Sequence, residues 1–200
     1  DVSNIKVNIP VERFDESFFS IDTNNIPAGL NEVRQLHPDF YFDFMQEILG
    51  VNGSDTSRNT VVVTRDFLRG YLPIYDSLQL IYKKTDKLQK EIEKGFQFVK
   101  YYFPGYKTGK AILFVGPFDA PGVAATSSGI AIGLQQYAGK DFSVYQSTPG
   151  QEMFPLYRSR RFSHEYMAAN CMKAVAEDIF PDQSSGSPSV STLPPSTVSS

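Results

Sequence analysis

The sequence predicts an α+β fold: a helical N-terminal half, a small antiparallel sheet, then a closing helix. Three observations predict it. Apolar residues recur at steps of three and four over most of residues 28–103, the period of helices that bury one face. Between residues 111 and 134 the pattern changes to alternation or to short continuous apolar runs, the signature of strands. Helical spacing then returns from Ser163 to about Ile179.

In chain order, Ile5, Val7 and Ile9 alternate with Lys6 and Asn8, predicting a short strand that Pro10 ends. Residues 28–36 and 38–49 predict two helices parted at His37-Pro38, because proline suits a first helical turn and pushes its predecessor out of the helical region. His37 therefore reads as a boundary residue. Phe40, Phe44 and Ile48, with Tyr41, Met45 and Leu49, make a broad apolar face. Residues 50–59 are rich in Gly, Asn, Ser and Asp and predict a loop; Asn52-Gly53-Ser54 matches an N-glycosylation sequon but reads as a turn.

From Arg65 to Lys83 the spacing is again helical, with a break or kink expected at Gly70 and Pro73. The clearest helix runs from Asp86 to Phe103: Leu88, Ile92, Phe96, Val99 and Phe103 share a face, Asp86 is expected to cap it, and Pro104-Gly105 stops it. Ala111 to Val115 is continuously apolar and predicts a deeply covered strand. Val123–Thr126 and Ile130–Leu134 predict a hairpin, with Gly129 supplying the positive φ that the turn at Ser127-Ser128 needs. Ser163 is expected to cap the last helix, whose buried side carries Met167, Cys171 and Val175 with Ala168, Met172 and Ile179.

The chain divides near residue 183. The stretch Gln183 to Ser200 holds eight Ser, three Pro and two Thr, and all Phe, Tyr, Lys, Arg, Asp and Glu lie in residues 1–182. Residues 1–182 therefore predict one globular body, and 183–200 a low-complexity tail too poor in apolar surface to offset its ordering entropy.

Composition excludes several functions. With 19 basic against 22 acidic residues, a net charge of −3 and one short basic run at Arg158, Arg160 and Arg161, nucleic acid is not the expected partner. No apolar run approaches the roughly 20 residues that span a bilayer. A single cysteine, Cys171, rules out an internal disulfide or a thiolate zinc cage. The chain opens at Asp1 without an apolar leader, so its N-terminus reads as processed or trimmed.

One constellation bears on chemistry. Ser163-His164-Glu165-Tyr166-Met167-Ala168 begins like the zinc-peptidase helix H-E-x-x-H, in which two histidines one turn apart ligate the metal and the glutamate activates its water. Here the second ligand position is Ala168, whose methyl binds no metal. Cys171 lies two turns from His164, about 10 Å along a helix axis, too far to share an ion. His164 and Glu165 are thus a degenerate site, and neither a catalytic residue, a metal ligand nor a cofactor is expected.

The stretch from Gly129 to Phe142, Gly-Ile-Ala-Ile-Gly-Leu-Gln-Gln-Tyr-Ala-Gly-Lys-Asp-Phe, then Tyr157-Arg-Ser-Arg-Arg-Phe and Glu165-Tyr166, resembles the GldB family of gliding-motility lipoproteins. The likeness extends back through Lys100-Tyr-Tyr-Phe-Pro to Glu12-Arg13-Phe14-Asp15, covering nearly all of residues 1–180. The sequence departs from the family pattern at Gln135, where the family has an acidic residue, and at His164, where it has proline. It also runs into the Ser/Pro tail where family members continue with further helices.

The resemblance implies a zincin-like fold whose metal ligands have been lost. It further implies a non-catalytic lipoprotein of a Bacteroidetes-type cell envelope, facing the periplasm and serving gliding motility and its associated secretion apparatus. The membrane attachment would be a lipidated cysteine upstream of Asp1; envelope protein partners are implied but not identified. Two other functions fit the same residues: a zinc-dependent metallopeptidase with atypical ligands, and a peptide-binding module that uses a zincin-like groove with the Ile130–Leu134 strand as its edge.

Overall fold

The structure, a computed structural model, describes residues 1–147, 150, 152 and 162–181. The basic run at Arg158, Arg160 and Arg161 and the 183–200 tail lie outside them. Strand β1 (Val11–Arg13) leads directly into α1 (Phe14–Phe19). Helices α2 (Ile26–Leu36) and α3 (Pro38–Asp43) follow, and α3 continues into a π-helical turn over Phe44–Ile48. Two long helices come next, α4 (Arg58–Tyr82) and α5 (Asp86–Tyr102). Strands β2 (Lys110–Phe114), β3 (Val123–Thr126) and β4 (Gly129–Gly133) precede the short α6 (Ser143–Gln146). A 3-10 turn, His164–Tyr166, opens into α7 (Met167–Ile179).

The fold is α+β, but the sheet is mixed and not antiparallel. Its order is β1-β2-β4-β3, with β1 parallel to β2, β2 parallel to β4, and only the β3–β4 hairpin antiparallel. The hairpin was legible because its turn is local, whereas β1 and β2 are parted by α1 to α5, and β2 passes over β3 to pair with β4. Gly129, at φ 146°, closes the hairpin, and a Cβ there would lie 2.0 Å from the Lys110 carbonyl oxygen.

The strand expected over residues 5–9 is a second correction. Ile5, Val7 and Ile9 do turn inward, with Ile9 fully buried, but their backbone meets side chains of α5. Ile9 N–H donates to Glu93 Oε1 at 3.1 Å and Gln97 Nε2 donates to the Ile5 carbonyl at 3.0 Å. Sheet pairing begins only after Pro10, whose carbonyl accepts from Ala111 N–H.

Sheet alternation divides the interior into two layers. Ile112, Phe114 and Ala131 face a cluster built from α1, α2, α3 and the first half of α4. That cluster is aromatic: Phe14, Phe18, Phe40, Phe44 and Phe67 stack edge-to-face and tilted, with Phe18–Phe44 centroids at 4.7 Å. Ala111, Leu113, Val115, Ile130 and Ile132 face the opposite cluster, with Leu78 and Tyr82 of α4, Leu88, Ile92 and Phe96 of α5, and Met167, Cys171 and Val175 of α7.

Because α4 serves both clusters, it runs unbroken through Gly70 and Pro73, where a break was expected. Burial of Phe67 and Leu68 before the proline and of Leu78 and Tyr82 after it outweighs the roughly 3 kcal/mol that an internal proline costs. The helix also starts earlier than predicted, capped by Ser57, whose Oγ accepts from Thr60 N–H at 3.3 Å. The predicted turn at Asn52-Gly53-Ser54 forms, with Ser54 N–H donating to Asn52 Oδ1. Neither Asp86 nor Ser163 caps its helix. Asp86 is already the first helical residue after Thr85, and Ser163 precedes the 3-10 turn.

Candidate functional site

His164 and Glu165, the residues singled out by the motif, lie on the 3-10 turn before α7 and both are exposed. Cys171 is fully buried in the apolar cluster on the sheet-facing side of α7, and burial pushes its thiol up to about 12. The imidazole that would start a zinc site thus faces solvent, Ala168 offers a methyl, and the sulfur stays protonated among hydrocarbon. These residues do not fit a zinc ion. Among the described residues, no three His, Cys, Asp or Glu side chains stand close enough to share a metal.

The other histidine does more than mark a boundary. His37 ends α2 and precedes α3, as its place before Pro38 predicts, and its ring is buried. Nδ1 lies 2.6 Å from Glu12 Oε1 and Nε2 lies 2.8 Å from Ser17 Oγ. Lys110 Nζ pairs with the other oxygen of Glu12 at 2.5 Å and approaches Asp39 at 3.5 Å. One polar chain therefore joins α1, the α2–α3 corner, β1 and β2. Sequence reasoning missed it because its members come from four separate elements. Its one local signal is the charged pair Glu12-Arg13 set between the apolar Val11 and Phe14.

A groove of about 530 Å³ opens on the aromatic side of the sheet, beside the hairpin. Phe40, Phe114 and Ala131 form its floor, Ala124, Thr126 and Ser127 one wall, and Asp43, Glu47 and Ile48 the other. Asp43 and Glu47 are one turn apart. Burial, with Glu47 nearby, raises the Asp43 carboxyl above its ordinary range. Among the described residues neither carboxylate has an ion-pair or hydrogen-bond partner.

The strand proposed as a peptide-docking edge, Ile130–Leu134, is not an edge. It is β4, paired with β2 on one side and β3 on the other. Among the described residues, the free edge beside the groove belongs to β3. Helix α7 packs on the other face of the sheet, so the groove is remote from any zincin-like cleft over α7.

A family model described as gliding motility protein GldB matches residues 1–191. The chain belongs to the GldB family. No curated protein and no solved structure matches it. As a GldB-family gliding-motility lipoprotein it is a membrane-anchored protein of the cell envelope, and no helix among its described residues is long and apolar enough to cross a membrane.

The described GldB-like stretches at 12–15 and 129–142 fall on structural joints. Arg13 and Asp15 flank the buried Phe14 and bind each other, Gln79 and the Tyr82 carbonyl, pinning the start of the chain to the end of α4. Gln135, where the family pattern is acidic, is fully buried; its Oε1 accepts from Gly116 N–H at 3.0 Å and its Nε2 has no hydrogen-bond partner among the described residues. The Tyr145 hydroxyl donates to the Gln135 carbonyl and the Tyr82 hydroxyl to the Tyr137 carbonyl, tying the loop after β4 to α6 and to the end of α4.

Proposed function

We propose that this protein is a non-catalytic component of the gliding-motility apparatus and its associated secretion machinery, tethered by lipid to the envelope of a Bacteroidetes-type bacterium and facing the periplasm. It works by binding other envelope proteins. The observation that carries this reading is the arrangement at the head of α7: an exposed His164-Glu165 turn with Ala168 one helical turn on, in a chain of the GldB family. Two measurements test it. Purified protein should carry no stoichiometric zinc, and zinc that disappears in His164→Ala would overturn the reading. Deleting the gene should abolish gliding, and unimpaired gliding would equally overturn it.

One observation favours a hydrolytic alternative. Ser17, His37 and Glu12 are hydrogen-bonded in the order nucleophile, base and acid. Lys110 weakens this alternative, because it already neutralises the carboxylate that would have to stabilise an imidazolium. A fluorophosphonate probe is expected to leave Ser17 unlabelled; labelling that vanishes in His37→Gln would establish the hydrolase.

A further inference from the structure

We propose that the groove beside β3 docks an extended segment of a partner polypeptide, which adds a strand to the free β3 edge and places a lysine or arginine between Asp43 and Glu47. The inference rests on the reading above that the protein acts by binding other envelope proteins.

The backbone of β3 is set up for strand addition. Gly133 N–H donates to the Gly122 carbonyl at 2.9 Å, which makes that pair a hydrogen-bonded one. In an antiparallel ladder bonded and non-bonded pairs alternate, so Ala124–Ala131 and Thr126–Gly129 are bonded as well. The N–H and C=O groups of Val123 and Ala125 therefore point away from β4. All four β3 residues are half-buried, and among the described residues no strand lies beyond β3 in the sheet. An edge of this kind satisfies its main-chain groups by pairing with an extended chain, a demand that a sugar or a lipid tail does not meet.

The groove selects the side chains. Its floor of Phe40, Phe114 and Ala131 offers apolar contact, and its far wall carries two carboxylates that no cation among the described residues pairs with. Burial already makes the charge on Asp43 unfavourable, so a neighbouring ammonium or guanidinium is the group that relieves it. Side chains of an added strand alternate between the two faces of the sheet, so a cationic residue at every second position meets this wall each time.

The test uses the full chain and a fluorescein-labelled nonapeptide alternating valine with lysine, read by fluorescence anisotropy. The control peptide carries glutamate in place of lysine. Saturable binding of the lysine peptide is expected, with none for the glutamate peptide. Asp43→Asn with Glu47→Gln should weaken it by about tenfold or more. Ala125→Pro should weaken it comparably, because it removes an outward N–H and leaves the β3–β4 ladder intact. Circular dichroism checks that each variant is folded, and the carboxylate pair decides the matter if Ala125→Pro does not fold.

Equal binding to the charge-neutral variant, or no binding to the wild type, overturns the proposal. In cells, a gene carrying Asp43→Asn and Glu47→Gln should fail to restore gliding to the deletion strain. Full restoration overturns the docking site and leaves the non-catalytic reading standing; a deletion strain that glides normally overturns that reading itself.

Discussion

The guanidinium of Arg13 holds the fully buried carboxylate of Asp15 in a two-pronged contact, 2.9 Å from Nε to Oδ1 and 2.7 Å from Nη2 to Oδ2. Both residues border the step from β1 into α1, and the same guanidinium reaches the Tyr82 carbonyl and Gln79 at the end of α4. The contact closes the N-terminal segment onto a helix far along the chain, between the two core clusters.

Removing Arg13 should therefore be severe. Arg13→Ala leaves the Asp15 carboxylate buried with only Gln79 Nε2 as a donor, and a loss of about 3–5 kcal/mol is expected in urea unfolding. Arg13→Lys should recover little, since an ammonium cannot reproduce the planar fork that serves Asp15 and the Tyr82 carbonyl together.

The His37 network makes a graded prediction. His37→Ala removes both ring contacts and the edge-on packing against Phe14 at 5.3 Å, and should cost about 2–3 kcal/mol. Ser17→Ala loses one hydrogen bond at a half-exposed position and should cost about 1 kcal/mol. Urea midpoints of the two variants, measured side by side, check the ordering.

Asp43 sets a pH dependence with a definite sign. Its carboxyl is raised in the folded state by burial first and by Glu47 second, so the fold binds this proton more tightly than the unfolded chain does. That contribution is fully present below the ordinary carboxylate range and is lost as pH rises through the raised value. Asp43→Asn should accordingly be more stable than wild type at neutral pH, and the advantage should shrink on acidification. Denaturation midpoints across that pH range measure it; a gap that widens towards acid would contradict the burial of Asp43.

Cys171 gives a probe of the second cluster. With its thiol fully buried and shifted up to about 12, it should not react with a disulfide reagent in the native protein at neutral or mildly alkaline pH. It should react fully once urea unfolds the chain, so the reaction rate reports opening of α7 from the sheet.

Local patterning was enough to place most of the elements. The Asp86 helix, the hairpin closed by Gly129, the covered strand after Lys110 and the apolar face of Met167, Cys171 and Val175 all depend on neighbours within a few residues, so spacing reveals them. Even the alternation of Ile5, Val7 and Ile9 reports burial correctly. It misleads on pairing, because a half-buried extended segment has the same period whether its backbone bonds to a strand or to Glu93 and Gln97 of a helix.

By itself, then, the sequence determined the fold class, the family likeness, the alanine at 168 where H-E-x-x-H has its second histidine, and the inward faces of the helices. Only the tertiary structure decided that the sheet is mixed, that β3 and not β4 is an outer strand among the described residues, that α4 carries through Pro73, and that Glu12, Ser17, His37 and Lys110 meet. The reason is physical: periodicity records which side of an element avoids water, whereas strand order and polar networks depend on which distant segments share that dry side.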